Sequence, residues 1–171
     1  SNTDPAQFID LTGPGGRIHG ADISRWQHPN DKPIDFKKKF DAGMRFVLIK
    51  GSDAQEAADI LAMRWLVEDR NAAQAAGLYT GMYHFAYLPN SEDSDYVIRD
   101  AKAQAQKVIW RLASLGGYNE RDLPLALDLE NNCVQYDNAG CSKYASKQSV
   151  TLWAKTFLQI VKEKTCLLYT S

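Results

Sequence analysis

Short apolar runs that alternate with longer amphipathic ones predict an α/β fold on a parallel sheet. The parity of polar groups within those runs narrows it to a TIM-like (β/α) barrel, incomplete in this chain. The alternation sets the class, because strands separated by helices pair in parallel through right-handed crossovers. The parity sets the architecture: one face of each barrel strand packs on helices and the other lines the interior, so a strand should be apolar on one parity and distinctive on the other. About five candidate strands and their intervening helices can be counted.

Ser1 to Gly16 carries two prolines and the turn-prone "TGPGG", and reads as a lead-in segment, with a single domain expected over 17–171. The first strand, "RIHGADI", puts Gly20 and Asp22 on the inner parity. A helix is predicted near Asp35 to Ala42, then "RFVLIK" with Phe46, Leu48 and Lys50 inward. After a helix near Asp59 to Ala76, "GLYTGMYHFAYL" turns Gly81, Tyr83, Phe85 and Tyr87 inward and His84 toward the helices, as a hydrogen-bonded core group. A long helix from about Ser91 to Leu115 has Val97, Ala101, Ala105, Val108, Leu112 and Leu115 at helical spacing. In "LPLALDLE", Leu125, Leu127 and Leu129 share the helix-facing parity, and Ala126, Asp128 and Glu130 the inner one. Val150, Trp153, Phe157, Ile160 and Val161 predict a helix near Ser146 to Lys164, and "CLLYT" a last strand. Gly43, Gly77 and Gly116 fall just past helix ends, where a left-handed cap is wanted.

At 171 residues and 44% hydrophobic, the chain is long enough for one well-buried domain. Its net charge of -1, with no block of like charges longer than Lys37 to Lys39, offers no footprint for nucleic acid or an anionic membrane. It has no run of about eighteen apolar residues, and its first residues lack the order of a signal peptide; a soluble monomer is expected, with no membrane contact. No histidine lies near a cysteine at zinc-site spacing, and neither a G-x-S-x-G elbow nor a phosphate-cradling glycine loop occurs, so no metal and no cofactor are expected. Cys133 and Cys141 flank a polar loop, "CVQYDNAGC", and spacing leaves both a local disulfide and two free thiols open.

Because catalytic groups in such barrels gather at the C-terminal ends of strands, Asp22, Lys50, Tyr83, Phe85, Asp128 and Glu130 should converge on one mouth. Two carboxylates at i and i+2 on one strand face lie roughly 6.5 to 7 Å apart at Cα, close enough to couple and raise one pKa. A neutral carboxylic acid beside ionised carboxylates suits glycosidic cleavage: one group protonates the leaving oxygen and the others support positive charge at the sugar carbon. Tyr83, Phe85 and Trp26 offer aromatic faces for a sugar ring.

"GADISRWQ" resembles the first-strand signature of glycoside hydrolase family 25, the Chalaropsis-type lysozymes, and "AGMRFVLIKGSD", "AGLYTGMYHFAY" and "LPLALDLEN" are similar to its second, third and fourth strand motifs, in order. The resemblance implies an N-acetylmuramidase cutting peptidoglycan between N-acetylmuramic acid and N-acetylglucosamine. Glu130 would match the general acid/base, and Asp128 the carboxylate that stabilises the reacting sugar directly or through its 2-acetamido group. Asp22 would match a further active-site carboxylate, Tyr83 and Phe85 aromatics of the reacting-sugar subsite, and Lys50 a polar residue of unassigned role. Whether an enzyme carboxylate or the acetamido group is the nucleophile stays open. The resemblance also implies action at the cell wall, as a secreted enzyme or a phage endolysin. The family continues beyond "LLYTS" with further strands and another active-site aspartate, so the expected barrel lacks its C-terminal part.

Three other readings compete. A non-catalytic peptidoglycan-binding relative would have no need of the Asp128 and Glu130 pair. The chitinase-like signature D-x-x-D-x-D-x-E fails, because Leu123 and Ala126 stand where aspartates are required. A structural α/β protein with merely buried polar groups predicts neither cleavage nor sugar binding.

Overall fold

A computed structural model of the chain describes residues 19–170, with side chains described as far as Thr165. The lead-in segment 1–16, and Arg17 and Ile18 of the expected first strand, lie outside the described residues. Four parallel strands form one sheet in the order β1 (His19–Ile23), β2 (Met44–Asp53), β3 (Tyr79–Phe85) and β4 (Asp122–Asp128). Helices α1 (Phe36–Asp41), α2 (Glu56–Ala75) and α3 (Ser94–Ser114) connect them in turn. The sequence order of the strands is thus their spatial order in the sheet, each lying beside its predecessor across a connecting segment that contains a helix.

Each helix has a local reason to start and stop. Asp93 caps α3 by accepting from the backbone N–H groups of Asp95 and Tyr96, and α2 has Glu56 and Asp59 in its first turn, where the helix dipole favours negative charge. Gly77 (φ 101°) and Gly116 (φ 83°) follow the ends of α2 and α3 in the left-handed conformation. The predicted apolar stripe of α3 is the one that is buried: Val97, Ala101, Ala105, Val108 and Leu112. Val47 and Ile49 of β2, Leu78 and Met82 beside and within β3, and Trp153, Phe157 and Val161 complete the core.

Two sequence expectations are corrected. "CLLYT" is not a fifth parallel strand: α4 runs Lys147–Thr170 without a break. A short apolar run is ambiguous between strand and helix, and here the helical hydrogen-bond ladder continues through it. The segment "CVQYDNAGC" is not an irregular loop but a two-stranded antiparallel hairpin, β5 (Cys133–Asp137) and β6 (Gly140–Tyr144), in a sheet of its own. A Cys133–Cys141 disulfide with a Cα separation of 5.9 Å ties its strands together, which decides between the two cysteine readings.

The predicted strand parity survives with two phase shifts. In β2 the register passes from Lys50 opposite Tyr83 to Ser52 opposite His84, so Gly51 is an extra residue. In β4 the register passes from Leu123 opposite Gly81 to Ala126 opposite Tyr83, around Pro124, which has no N–H to pair. The freed N–H of Leu125 donates to the Tyr118 hydroxyl at 2.9 Å. Leu125, Leu127 and Leu129 then pack on the core, as their parity predicted.

Candidate active site

The C-terminal ends of the four strands bring the predicted residues together. Asp22 on β1, Lys50 on β2, Tyr83 and Phe85 on β3, and Asp128 on β4 all lie at that end, with Glu130 two residues beyond Asp128. Register fixes the neighbours: Phe85 lies between Asp53 of β2 on one side and Asp128 of β4 on the other. The Ala86 N–H donates to the Asp128 carbonyl at 2.9 Å, which locks this end of the ladder.

Electrostatics report the same convergence. The Tyr83 hydroxyl is pushed up to about 12 by burial, then by the negative charges of Asp22, Asp128, Glu130 and Asp53. Tyr83 therefore stays a neutral hydrogen-bond donor across any ordinary working range. The Asp128 carboxyl is raised from its usual value by burial and by Glu130 and Asp22, and Lys50 partly offsets the rise. Asp22 and Glu130 are exposed, so the least solvated carboxylate of the three is Asp128.

Lys50 forms an ion pair with Asp53, and its ammonium lies 4.9 Å from the centre of the Phe85 ring. Phe85 in turn meets Tyr87 edge to face, with ring centres 5.3 Å apart. A cleft of about 280 Å³ opens beside them, lined by Arg25, Trp26, Lys50, Asp53, Phe85 and Tyr87 among others. Trp26 is 74% exposed, on a 3-10 turn (Arg25–Gln27) that Ser24 and Gln27 close as a capping box, and the Arg25 guanidinium lies 4.2 Å from its ring centre. His84 faces the other way, fully buried; Ser52 and Gln104 flank its ring nitrogens at 2.7 and 2.9 Å, and it stacks on Phe157.

Asp53 was not singled out by sequence because the Gly51 bulge shifts it onto the inner face that strict alternation gives to position 52. The bulged end of β2 is held from behind. Arg111 of α3 donates to the Gly51 carbonyl at 2.7 Å and to Asp59 Oδ2 at 2.7 Å, and Asp59 accepts the Asp53 N–H at 2.9 Å. Lys107 reaches the Asp53 carbonyl at 3.0 Å. Three buried or half-buried charged side chains thus fix the backbone that aims Lys50 and Asp53 at the cleft.

The sequence model described as "Glycosyl hydrolases family 25" matches residues 21–171. The chain belongs to this family. Among solved structures, it is similar to a muramidase from Acremonium alcalophilum, with 29% identity and a TM-score of 0.59 over 86% of this chain and 61% of that one. It is similar to a lysozyme from Streptomyces coelicolor, with 28% identity and a TM-score of 0.60 over 86% and 58%. It also resembles a family GH25 lysozyme from Aspergillus fumigatus, with 26% identity and a TM-score of 0.59 over 84% and 59%. The chain therefore spans about three fifths of the length of each. No curated protein sequence matches it.

Proposed function

We propose that this family 25 chain carries the acid/base carboxylates of a lysozyme-type glycosidase that cuts the β-1,4 bond between N-acetylmuramic acid and N-acetylglucosamine in peptidoglycan. The observation that carries the reading is the convergence of Asp22, Tyr83, Asp128 and Glu130 at one end of the sheet, with the three carboxylates acting electrostatically on the Tyr83 hydroxyl and Phe85 of the same strand walling the cleft. Peptidoglycan glycan strands are the partner, and the muramidase and lysozymes it resembles support that choice. The four parallel strands are read as the first four of a (β/α) barrel. The site of action is the cell wall, reached by secretion or by phage-induced lysis, and the Cys133–Cys141 disulfide suits an oxidising compartment.

In this mechanism Glu130, exposed and lining the hollow that shares Phe85 and Tyr87 with the cleft, protonates the leaving oxygen and then accepts the proton of the attacking water. Asp128 supports the positive charge that develops at the anomeric carbon, directly or by holding the acetamido N–H of the substrate. Tyr83 donates a hydrogen bond toward the reacting sugar, and Phe85 and Trp26 offer apolar faces to its ring. Lys50, held by Asp53, keeps positive charge near Asp128 and favours its ionised form. A second assignment exchanges the two carboxyls, and the upward shift of Asp128 favours it, because burial and the neighbouring carboxylates make that group easier to protonate.

The test is turbidity clearing of purified cell walls with reducing-end analysis of the products. Glu130→Gln should lower turnover by about 10²- to 10⁴-fold, the usual contribution of a positioned acid. If Asp128→Asn removes the alkaline limb of the rate profile, where the essential acid loses its proton, and Glu130→Gln leaves it, the exchanged assignment is the correct one. Sugar binding by the unaltered protein with no release of muramic-acid reducing ends would leave a binding module instead.

A further inference from the structure

Beyond the carboxylates, the chain continues directly into the disulfide-tied hairpin. A second hollow of about 100 Å³ lies between that hairpin and the end of β3, lined by Phe85, Tyr87, Glu130, Asn131, Cys133 and Tyr136 among others. Phe85 and Tyr87 also line the larger cleft, so the two hollows share an aromatic ridge. From this juxtaposition we infer that the hairpin builds a second sugar subsite, which takes the N-acetylglucosamine ring on the leaving-group side of the cleaved bond.

Three observations carry the assignment. The first is the composition of the wall: Tyr136 is 59% exposed and Tyr87 37%, two aromatic faces beside the polar side chain of Asn131. A pyranose has an apolar face and a hydroxyl-bearing rim, and aromatic surface next to an amide matches both. The second is rigidity. The disulfide closes the hairpin, Asn131 Oδ1 accepts the Cys133 N–H at 2.9 Å, and Asn132 and Ala145 tie its two ends together through hydrogen bonds of 2.8 and 3.1 Å. An aromatic on so short and doubly tied a loop is ordered before a ligand arrives.

The third is charge. Arg25, Lys50 and Asp53 line the larger cleft, where the Lys50–Asp53 pair leaves the Arg25 charge in excess, whereas among the described residues the one charged group lining the hairpin hollow is Glu130. A muramic acid unit carries a carboxylate or a peptide on its lactyl ether and suits the side with the excess cation. N-acetylglucosamine is neutral and loses nothing beside a carboxylate. Glu130 also faces the hairpin hollow, and an acid that protonates the leaving oxygen belongs next to the sugar that leaves. The subsite rests on the proposed muramidase reading, but its binding can be measured without turnover.

The experiment is a two-dimensional NMR titration of the whole chain with chitotriose, a neutral N-acetylglucosamine trimer, alongside the wall-clearing assay. Shifts should concentrate at Tyr87, Asn131 and residues 133–136. Tyr136→Ala should weaken binding about tenfold, the scale of one aromatic contact, and Tyr136→Phe should keep it. Tyr136 is mostly exposed, so its truncation opens no core cavity. Unshifted hairpin signals, or unchanged affinity in Tyr136→Ala, would overturn the subsite even if the walls clear. Hairpin shifts produced by a free stem peptide and not by chitotriose would overturn the sugar assignment. Chitotriose binding at the hairpin in a protein that clears no walls would instead leave the subsite standing and remove the cleavage reading.

Discussion

The ion pair behind the β2 bulge allows a quantitative forecast. Arg111 and Asp59 are nearly dry, with side chains 11% and 6% exposed, and Arg111 also serves the Gly51 carbonyl. In Arg111→Met the aliphatic stem is kept and the charge removed, which leaves a buried carboxylate without its main partner. Breaking a buried pair from one side costs about 3–5 kcal/mol. Lys107 remains 3.9 Å from Asp59 and offsets part of this, so the lower end, about 3 kcal/mol, applies. For a domain of this size that is a fall of about 6–12 °C in Tm. The double variant Asp59→Asn with Arg111→Met removes the stranded charge and should regain at least half, with about 1 kcal/mol still missing for the unpaired Gly51 carbonyl. Arg111 holds the Asp59 carboxyl below its usual value against the opposing effect of burial. That contribution is therefore present above about pH 4 and lost as pH falls through the lowered folded value, so the single variant should approach the parent in acid. Urea unfolding at neutral and acidic pH measures all of this. A single-variant cost below about 0.5 kcal/mol, or a double variant as weak as the sum of its singles, would refute the clamp.

Three further outcomes follow from other sites. Asp128→Asn should stabilise the fold at neutral pH, because a raised carboxyl opposes folding once the unfolded chain ionises it; the gain should vanish below about pH 4, and parallel denaturant titrations check it. Glu92 accepts from the Ser146 N–H and hydroxyl and from the Ser149 hydroxyl at the start of α4, which holds it at about 2. Glu92→Gln should loosen the first turn of α4 in amide exchange above about pH 4.5, and the difference from the parent should close as pH falls toward 2. A Cβ on Gly51 would lie 1.9 Å from Met82 Cγ. Gly51→Ala should therefore cost about 1–3 kcal/mol by thermal melting, and less in a Met82→Ala background.

Much of the fold was legible because its signals are periodic. The α3 stripe from Val97 to Leu112 has one solution as a helix, and the alternation in β3 separates Tyr83 and Phe85 from His84 with nothing to disturb it. The candidate site was legible to the same depth, since six of its residues follow from strand parity at strand ends. What escaped were departures from period. Asp53 was hidden by one inserted residue. The β5–β6 hairpin was hidden by its polar composition, because a small sheet with mostly exposed faces buries too little to show an apolar alternation. "CLLYT" misled for the opposite reason: it is apolar enough for either state, and only its continuity with α4 decides.

Gly51 also bears on how this segment can vary. Ser52 and Asp53 are adjacent in the chain yet serve opposite sides of the sheet, one beside His84 in the core and one beside Phe85 at the cleft. Removal of Gly51 would close the bulge and, by regular alternation from Lys50, leave Ser52 opposite His84 and Asp53 opposite Phe85. At this position a replacement that adds a Cβ against Met82 is therefore more disruptive than a deletion. Relatives one residue shorter at Gly51 should therefore keep the hydroxyl on the core side and the carboxylate on the cleft side of this strand.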